Sequence, residues 1–498
     1  MATSTVCTSA IRRVLWMSAS SLMSSFLCRV RMRWTCLVGS RAGTDLPFGC
    51  ASRNLIGRND IVTGGSTPSE RLADIDIDIV DASRYGNGIP WDDFRKLRAR
   101  PGLHWNRYEA EPHANGGFWA VTRHADVCEV SRHPERFSSA IGHVNLWDLE
   151  ADALEARRSI LEHDPPAHTR LRRVVSKAFT PRQMRRYTER TRAIADKLLD
   201  VVVERGGGDW VELVAAPLPI RVIIAILGVP PEDADYMVEL SNHLVEGTTE
   251  TQSLPPDAYG NTTPLRLLPF GSPAAWGLYE YGAKLGDERL EHPADDVVSH
   301  LVHAEVGGDR LTATEFRNFF QVLVFGGNET TRTAITHGTI AFAEHPEQWD
   351  RLAADRELLP SAVEEVIRWA SPILHMRRTA AVDTELAGTR ISAGDKVVMW
   401  YPSANRDEAV FERPDEFDIG RADNAQIAFG GGGPHFCLGA YLARMELTVL
   451  LEAMLDRGIR PASVSNLVRI PSNFVHGVAS VEVAVDAAAA DSSAPVRA

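Results

Sequence analysis

At 498 residues the chain can bury a large core, and 44% hydrophobic with 24% charged residues is an ordinary globular composition. A formal net charge of −13 makes it a poor general binder of nucleic acid, and no apolar run reaches the ~18 residues of a membrane-spanning helix. Of its six cysteines only Cys128 and Cys437 lie beyond the first fifty residues, too few for a disulfide framework, which reads as a protein of a reducing compartment, the cytoplasm.

Residues 1–44 hold no Asp or Glu, several Arg and much Ser. That composition suits an organelle transit peptide, or an extension of little structural use; the lack of a repeated amphipathic pattern favours the second. The expected division is an N-terminal extension over 1–70, a single domain over 71–485 and a low-complexity tail over 486–498.

Within the body, "GGFWAVTRHADVCEVSRHPERF" predicts a strand and then a short helix ended by His133-Pro134. "DPPAHTRLRRVVSKAF" predicts an extended Pro pair and a basic helix. The pattern from Pro181 to Glu204 is helical, and "VELVAAPLPIRVIIAILGVP" predicts an apolar helix stopped by Gly228 and Pro230. Residues 246–276, rich in Pro, Gly and Thr, predict a long loop that roofs a site. Strands are few and cluster around 382–400, so the fold class is mainly α with small β-sheets.

Thr312 and Glu315 form a capping box, and the helical pattern then runs to Glu344 before His345-Pro346 stops it. Such a helix is about 50 Å long. Midway it carries "VFGGNETTRTA", and each glycine there costs about 1 kcal/mol relative to alanine. Gly326 and Gly327 leave room for something flat or small, with Glu329 and Thr330 beside the opening. The plainer alternative is a kinked helix with Thr330 bonded back to its own turn.

"FGGGGPHFCLG", Phe429–Gly439, sets Cys437 behind four consecutive glycines. A thiolate is a soft ligand for iron, and on haem it favours O–O cleavage. Such a sulfur needs backbone N–H groups close by, which glycines permit, and the helix that follows turns its positive end toward it. The alternative is an inert buried thiol.

Together these residues resemble the cytochromes P-450 over roughly 75–485. The cysteine loop is the signature, joined by "EEVIR" with Glu365 and Arg368, by "FGGNETT", and by "HTRLR" with His168 and Arg172. The resemblance implies the family's fold, a triangular helical prism around haem b. Within the family the longer Phe429–Cys437 loop, "GNETTR", "MRRTA", "SANRDE" and "NFVHG" are similar to the actinobacterial group acting on methyl-branched lipids, cholesterol side chains and terpenoids. Pro434 and Phe325 depart from its pattern, and Phe325 is expected to narrow the pocket.

The resemblance makes Cys437 the iron ligand, and Phe429, Gly439 and Gly327 neighbours of the cofactor. His168, Arg172, Arg378 and His435 become its propionate partners. Glu365 and Arg368 become a buried ion pair completed by Arg421, with Arg413 as the rival. Thr330 and Glu329 become the catalytic proton-delivery pair for O2 activation. The expected substrate walls are Val322, Phe325, Ser371–Leu374 and Asn473–Val475. With no flavin or nucleotide motif present, electrons are expected from NAD(P)H through ferredoxin reductase and ferredoxin, docking on Arg170, Arg172, Arg173 and Lys177. The activity implied is hydroxylation of an unactivated carbon on a hydrophobic small molecule by a monomer without a membrane span. The alternatives are a peroxygenase or rearrangement enzyme on the same scaffold, or a haem-binding sensor without turnover.

Overall fold

In the computed structural model the capping box at Thr312 and Glu315 closes in both directions, and the helix it starts runs Ala313–Glu344. The structure describes residues 77–108, 116–246 and 262–487. The predicted extension over 1–70, residues 247–261 of the predicted roofing loop and residues 488–498 of the tail lie outside the described residues. The helices that shape the site are α1 (His124–Arg132), α2 (Ala167–Val175), α3 (Pro217–Leu227), α4 (Ala274–Glu291), α5 (Ala313–Glu344), α6 (Leu359–Ala370) and α7 (Ala440–Asp456).

Packing, more than propensity, keeps α5 continuous through Gly326 and Gly327. Phe316, Phe320, Val324, Ile335 and Phe342 are buried against α3, α4 and α6. Gly282 and Gly286 bring α4 close to α5: a Cβ at Gly282 would lie 2.8 Å from Phe320, and one at Gly286 would lie 2.7 Å from Phe316. Gly228 ends α3 in the left-handed region, at φ 75°, where a glycine C-cap is favoured.

The sheets are more extensive than the sequence suggests. One has five strands in the order β1-β2-β8-β5-β3, made of His104–Arg107, Gly117–Val121, Lys396–Trp400, His375–Ala380 and Phe137–Ser138. A second pairs β4 (Gly207–Asp209) with the hairpin β9 (Ile459–Arg469) and β10 (Val478–Ala487). The third is the small hairpin β6 (Thr384–Leu386) and β7 (Thr389–Ile391). Strands therefore are not confined to 382–400, and β10 runs past the expected boundary at 485. β9 hides from a pattern reading because only Ile459 and Pro461 of its eleven residues are buried.

Among the described residues, α6 carries the most buried ion pair. Glu365 is 0% exposed and Arg368 1%. The guanidinium is bidentate on the carboxylate, with both bonds at 2.8 Å, and also reaches the carbonyls of Asn405, Pro414 and Glu416. Arg421 completes the network, with Nε 3.1 Å from Glu365 Oε2, while Arg413 sits in solvent and pairs with Glu416. Breaking a buried pair strands a charge and costs about 3–5 kcal/mol, whereas exposed pairs contribute about 1 kcal/mol or less. Arg421→Ala should therefore lower the urea midpoint by an amount worth about 3 kcal/mol. Arg413→Ala should stay within about 0.5 kcal/mol of wild type in the same titration.

Candidate active site

The cysteine loop is a tight structure laid against α1. The Cys437 N–H donates to the Phe429 carbonyl at 3.0 Å, closing the loop on itself. Gly430, Gly432 and Gly433 adopt φ of 103°, 93° and 77°, the left-handed region that side chains avoid. Gly431 and Gly433 also press on the end of α1: an added Cβ would stand 2.9 Å from Cys128 Cα and 2.2 Å from the Ser131 carbonyl, respectively. The glycines thus serve the turn and the contact with α1, and the amides nearest the sulfur come from elsewhere. Cys437 opens on an internal cavity although it lies deep in the protein. Burial pushes its thiol up; the N–H groups of Gly439 and Ala440 at the start of α7, with Arg172 and Arg444, pull the other way.

The cavity measures about 350 Å³ and is bounded by α2, α5, α7, β5 and the segment 143–162. His168, Arg172, Arg378, His435, Phe429, Gly327, Gly439, Thr330 and Cys437 all border it. His168 and His435 lie with ring centroids 4.1 Å apart. His168 Nδ1 and His435 Nε2 are buried without a hydrogen-bond partner. Burial lowers the pKa of His168 to about 4, helped by Arg172, and lowers that of His435 further. The Arg378 guanidinium donates to the Arg377 carbonyl, and burial lowers the pKa of both Arg172 and Arg378. Neither arginine has a carboxylate within ion-pair distance among the described residues. One buried guanidinium, one half-buried guanidinium and two orphaned imidazole nitrogens bordering one cavity call for anions. Opposite a thiol and beside an apolar space, they fit haem, whose propionates supply those anions.

Above this wall runs α5. A Cβ on Gly326 would meet open space, whereas one on Gly327 would lie 2.9 Å from Ile223 of α3. Both glycines border the cavity, but the missing side chain that clears it belongs to Gly326. Thr330 Oγ1 donates to the Gly326 carbonyl at 2.8 Å, the back-bonded geometry, without interrupting the helix. Its oxygen keeps lone pairs toward the cavity. Glu329 does not border the cavity: it is 2% exposed and faces Arg332, with Oε2 3.3 Å from Nη1. Burial pushes its carboxyl up.

Of the expected walls, Val322, Phe325, Pro372, Ile373 and Phe474 line the cavity. Ser371, Leu374, Asn473 and Val475 stand behind it: Ser371 accepts from Asn405, Asn473 donates to the Val80 carbonyl, and Val475 pairs with Ile373. From the predicted roofing loop, Pro269 reaches the cavity. Trp147, Tyr401 and Leu442 also line it, and nothing in their local sequence marks them; Met376 lines it too, from the "MRRTA" segment.

The expected basic docking patch divides. Arg170 pairs with Glu315, Lys177 donates to the Glu305 carbonyl, and Arg172 turns inward to the cavity. Arg173 and Lys177 remain exposed. Arg172 lies two residues from Arg170, on a different side of the helix, and that spacing is the signal a pattern reading needed.

The loop geometry separates its glycines experimentally. Gly433→Ala would drive a Cβ into the Ser131 backbone, so the reduced protein should lose the red-shifted CO band of thiolate ligation. Gly430→Ala, whose nearest neighbour would be Phe436 Cα at 3.9 Å, should keep the band and melt at a lower temperature.

The family model for cytochrome P450 matches residues 283–457. A steroid C26-monooxygenase of Mycolicibacterium smegmatis is 37% identical over 414 residues, covering 81% of this chain and 92% of the relative. A methyl-branched lipid omega-hydroxylase of Mycobacterium tuberculosis is 36% identical over 428 residues, covering 85% of this chain and 97% of the relative. Among solved structures, a Mycobacterium marinum cytochrome P450 in complex with pseudoionone superposes with a TM-score of 0.72 at 38% identity, covering 82% of this chain and 98% of that one. With a thiol, a cationic wall and an apolar vault gathered on one cavity, and relatives matching over most of its length, the chain belongs to the cytochrome P450 family.

Proposed function

We propose that this enzyme hydroxylates the terminal carbon of a branched alkyl chain carried by a steroid or a lipid, using O2 and electrons from NAD(P)H through ferredoxin reductase and ferredoxin. The observation that carries the reading is that Cys437 and Thr330 open on one mainly apolar cavity. The two relatives' names share one chemistry, since C26 of a steroid and the omega position of a branched lipid are both ends of alkyl chains. Cys437 would hold the haem iron; His168, Arg172, Arg378 and His435 would hold the propionates. When bound, the haem supplies O2 activation and C–H oxidation.

The remaining work falls to the chain. Val322, Phe325, Ile373 and Phe474 exclude water and hold an apolar chain end beside Thr330. The Thr330 hydroxyl, anchored on the Gly326 carbonyl, positions a water at the α5 opening and passes a proton from it. Glu329 is one residue away but tethered to Arg332, so it delivers protons only after releasing that arginine. Arg173 and Lys177, with Phe436 40% exposed beside the ligand loop, offer the surface for an acidic ferredoxin.

Two variants test this. Cys437→Ala should abolish the thiolate CO band and all NAD(P)H-driven hydroxylation; a surviving band refutes the ligand assignment. Thr330→Ala should keep fold and haem, because alanine favours helix, but release peroxide in place of product. Product per NAD(P)H should fall about tenfold or more with cholestenone or a branched fatty acid. A Thr330→Ala enzyme as well coupled as wild type would remove Thr330 from proton delivery.

A further inference from the structure

One corner of the cavity is polar and unsatisfied, and the activity above makes no use of it. Arg157, at the end of the helix Ala151–Arg157, borders the cavity with Nε buried and without a partner. One of its terminal nitrogens donates to the Arg266 carbonyl, and among the described residues it has no carboxylate within ion-pair distance. The Tyr279 hydroxyl, from α4, borders the same space, is buried, and has no hydrogen-bond partner. The Asn145 side-chain carbonyl is buried and unpartnered as well. Arg157 and Tyr279 lie within electrostatic reach of each other.

The neighbours leave Arg157's charge uncompensated. Glu162 is the nearby acid, but its Oε2 accepts from both the backbone and the hydroxyl of Ser159, and its Oε1 faces His143 at 3.8 Å. Burial pushes the Glu162 carboxyl up and lowers the pKa of His143 to about 3, and the Glu162 oxygens face Ser159 and His143. A permanent cation and a phenol donor therefore border one apolar space, the Arg157 Nε and the Tyr279 hydroxyl without an acceptor among the described residues. Burying such donors unpaired is costly, and a carboxylate satisfies both.

Position argues the same way. Asn318 of α5 donates to the Arg158 carbonyl at 2.6 Å, which ties the segment that carries Arg157 to the N-terminal half of α5. Asn318 precedes Thr330 on the same continuous helix by about 18 Å of axial rise. Arg157, Tyr279 and Thr330 thus border one cavity, with the Arg157 segment tied to α5 on the N-terminal side of Thr330.

We propose that Arg157 and Tyr279 form a carboxylate-binding subsite that seats the acidic end of a long, hydrophobic substrate and so sets which carbon reaches Thr330. This rests on the hydrophobic-substrate activity proposed above and narrows it to acidic lipids. A neutral sterol would leave the two donors unpaired.

The test compares isopalmitic acid with its methyl ester, each titrated calorimetrically into haem-loaded full-length protein. Wild type should bind the acid more tightly than the ester. Arg157→Gln should weaken the acid about tenfold or more and change the ester less than about twofold. Arg157→Lys should recover part of the loss, and Tyr279→Phe should weaken the acid alone by a few fold. Haem content checks each variant, and Tyr279→Phe decides the matter if Arg157→Gln does not load haem. Equal losses for acid and ester, or an unchanged acid, overturn the subsite. Wild type that binds cholestenone but neither fatty compound overturns the subsite and leaves the hydroxylase reading standing. Absence of product from every hydrophobic compound overturns both.

Discussion

The site depends on two adjacent carboxylates on α6, because together they hold the cysteine loop from both sides. Glu365 fixes Arg368, Arg368 donates to the Asn405 carbonyl, and the Asn405 side chain accepts from the Ile427 N–H at 2.8 Å. Two residues on, Phe429 accepts from Cys437. Glu364 approaches from the other side, accepting from Gln426 and from Arg444, whose guanidinium lies 4.5 Å over the Phe429 ring. The placement of one sulfur is thus set by a relay of short bonds that begins at a fully buried ion pair. A network of this kind adds less to net stability than to uniqueness of arrangement, since its charges lose hydration to form it.

The cavity is the counterpart of that satisfied network. Around Glu365 both carboxylate oxygens have partners: Arg368, Arg421, Asn424 and the Asp418 N–H. Around Cys437, by contrast, His168 Nδ1 and His435 Nε2 have no partner, and Arg172 and Arg378 border the same cavity with no carboxylate within ion-pair distance among the described residues. A fold that buries cations without anions is less stable alone than with a dianionic ligand, so occupancy and folding are linked through mass action. The same physics leaves His168 and His435 uncharged: burial and the two guanidinia both oppose a further positive charge. Neutral imidazoles donate hydrogen bonds without adding to the repulsion.

How much of this was legible in the chain followed the chemistry. Cys437, Glu365, Arg368 and the glycine-rich loop stood out because no other residue types serve in those places. The capping box at Thr312 was legible because both of its bonds are local. Arg421 could be preferred to Arg413 but not proven, since the choice is made by a tertiary approach across 56 positions. The hairpin β9–β10 was missed because one of its strands is largely solvated and shows no apolar alternation. Glu329 was read as facing the opening from its place beside Thr330, yet one helical step turns it about 100° toward Arg332. Arg157 and Tyr279 carry no pattern at all; the end of a short helix and a helix more than a hundred residues on bring them to one cavity.

The long helix turns these separate features into one device. Its N-terminal half holds the segment that carries Arg157 through the Asn318 bond to the Arg158 carbonyl, and its middle meets the cavity through Gly326 and Thr330. A rigid element spanning both transmits no motion, but it fixes a length, and a molecule held at one end presents a defined carbon at the other. Phe316 and Phe320, seated against Gly286 and Gly282 of α4, keep that length from changing by locking the helix laterally over the same stretch. Selectivity for position along an alkyl chain, where neighbouring C–H bonds differ little in chemistry, then follows from distance. Enlarging α4 at either glycine would tilt α5 and shift the site of attack without altering any group that touches the reacting carbon.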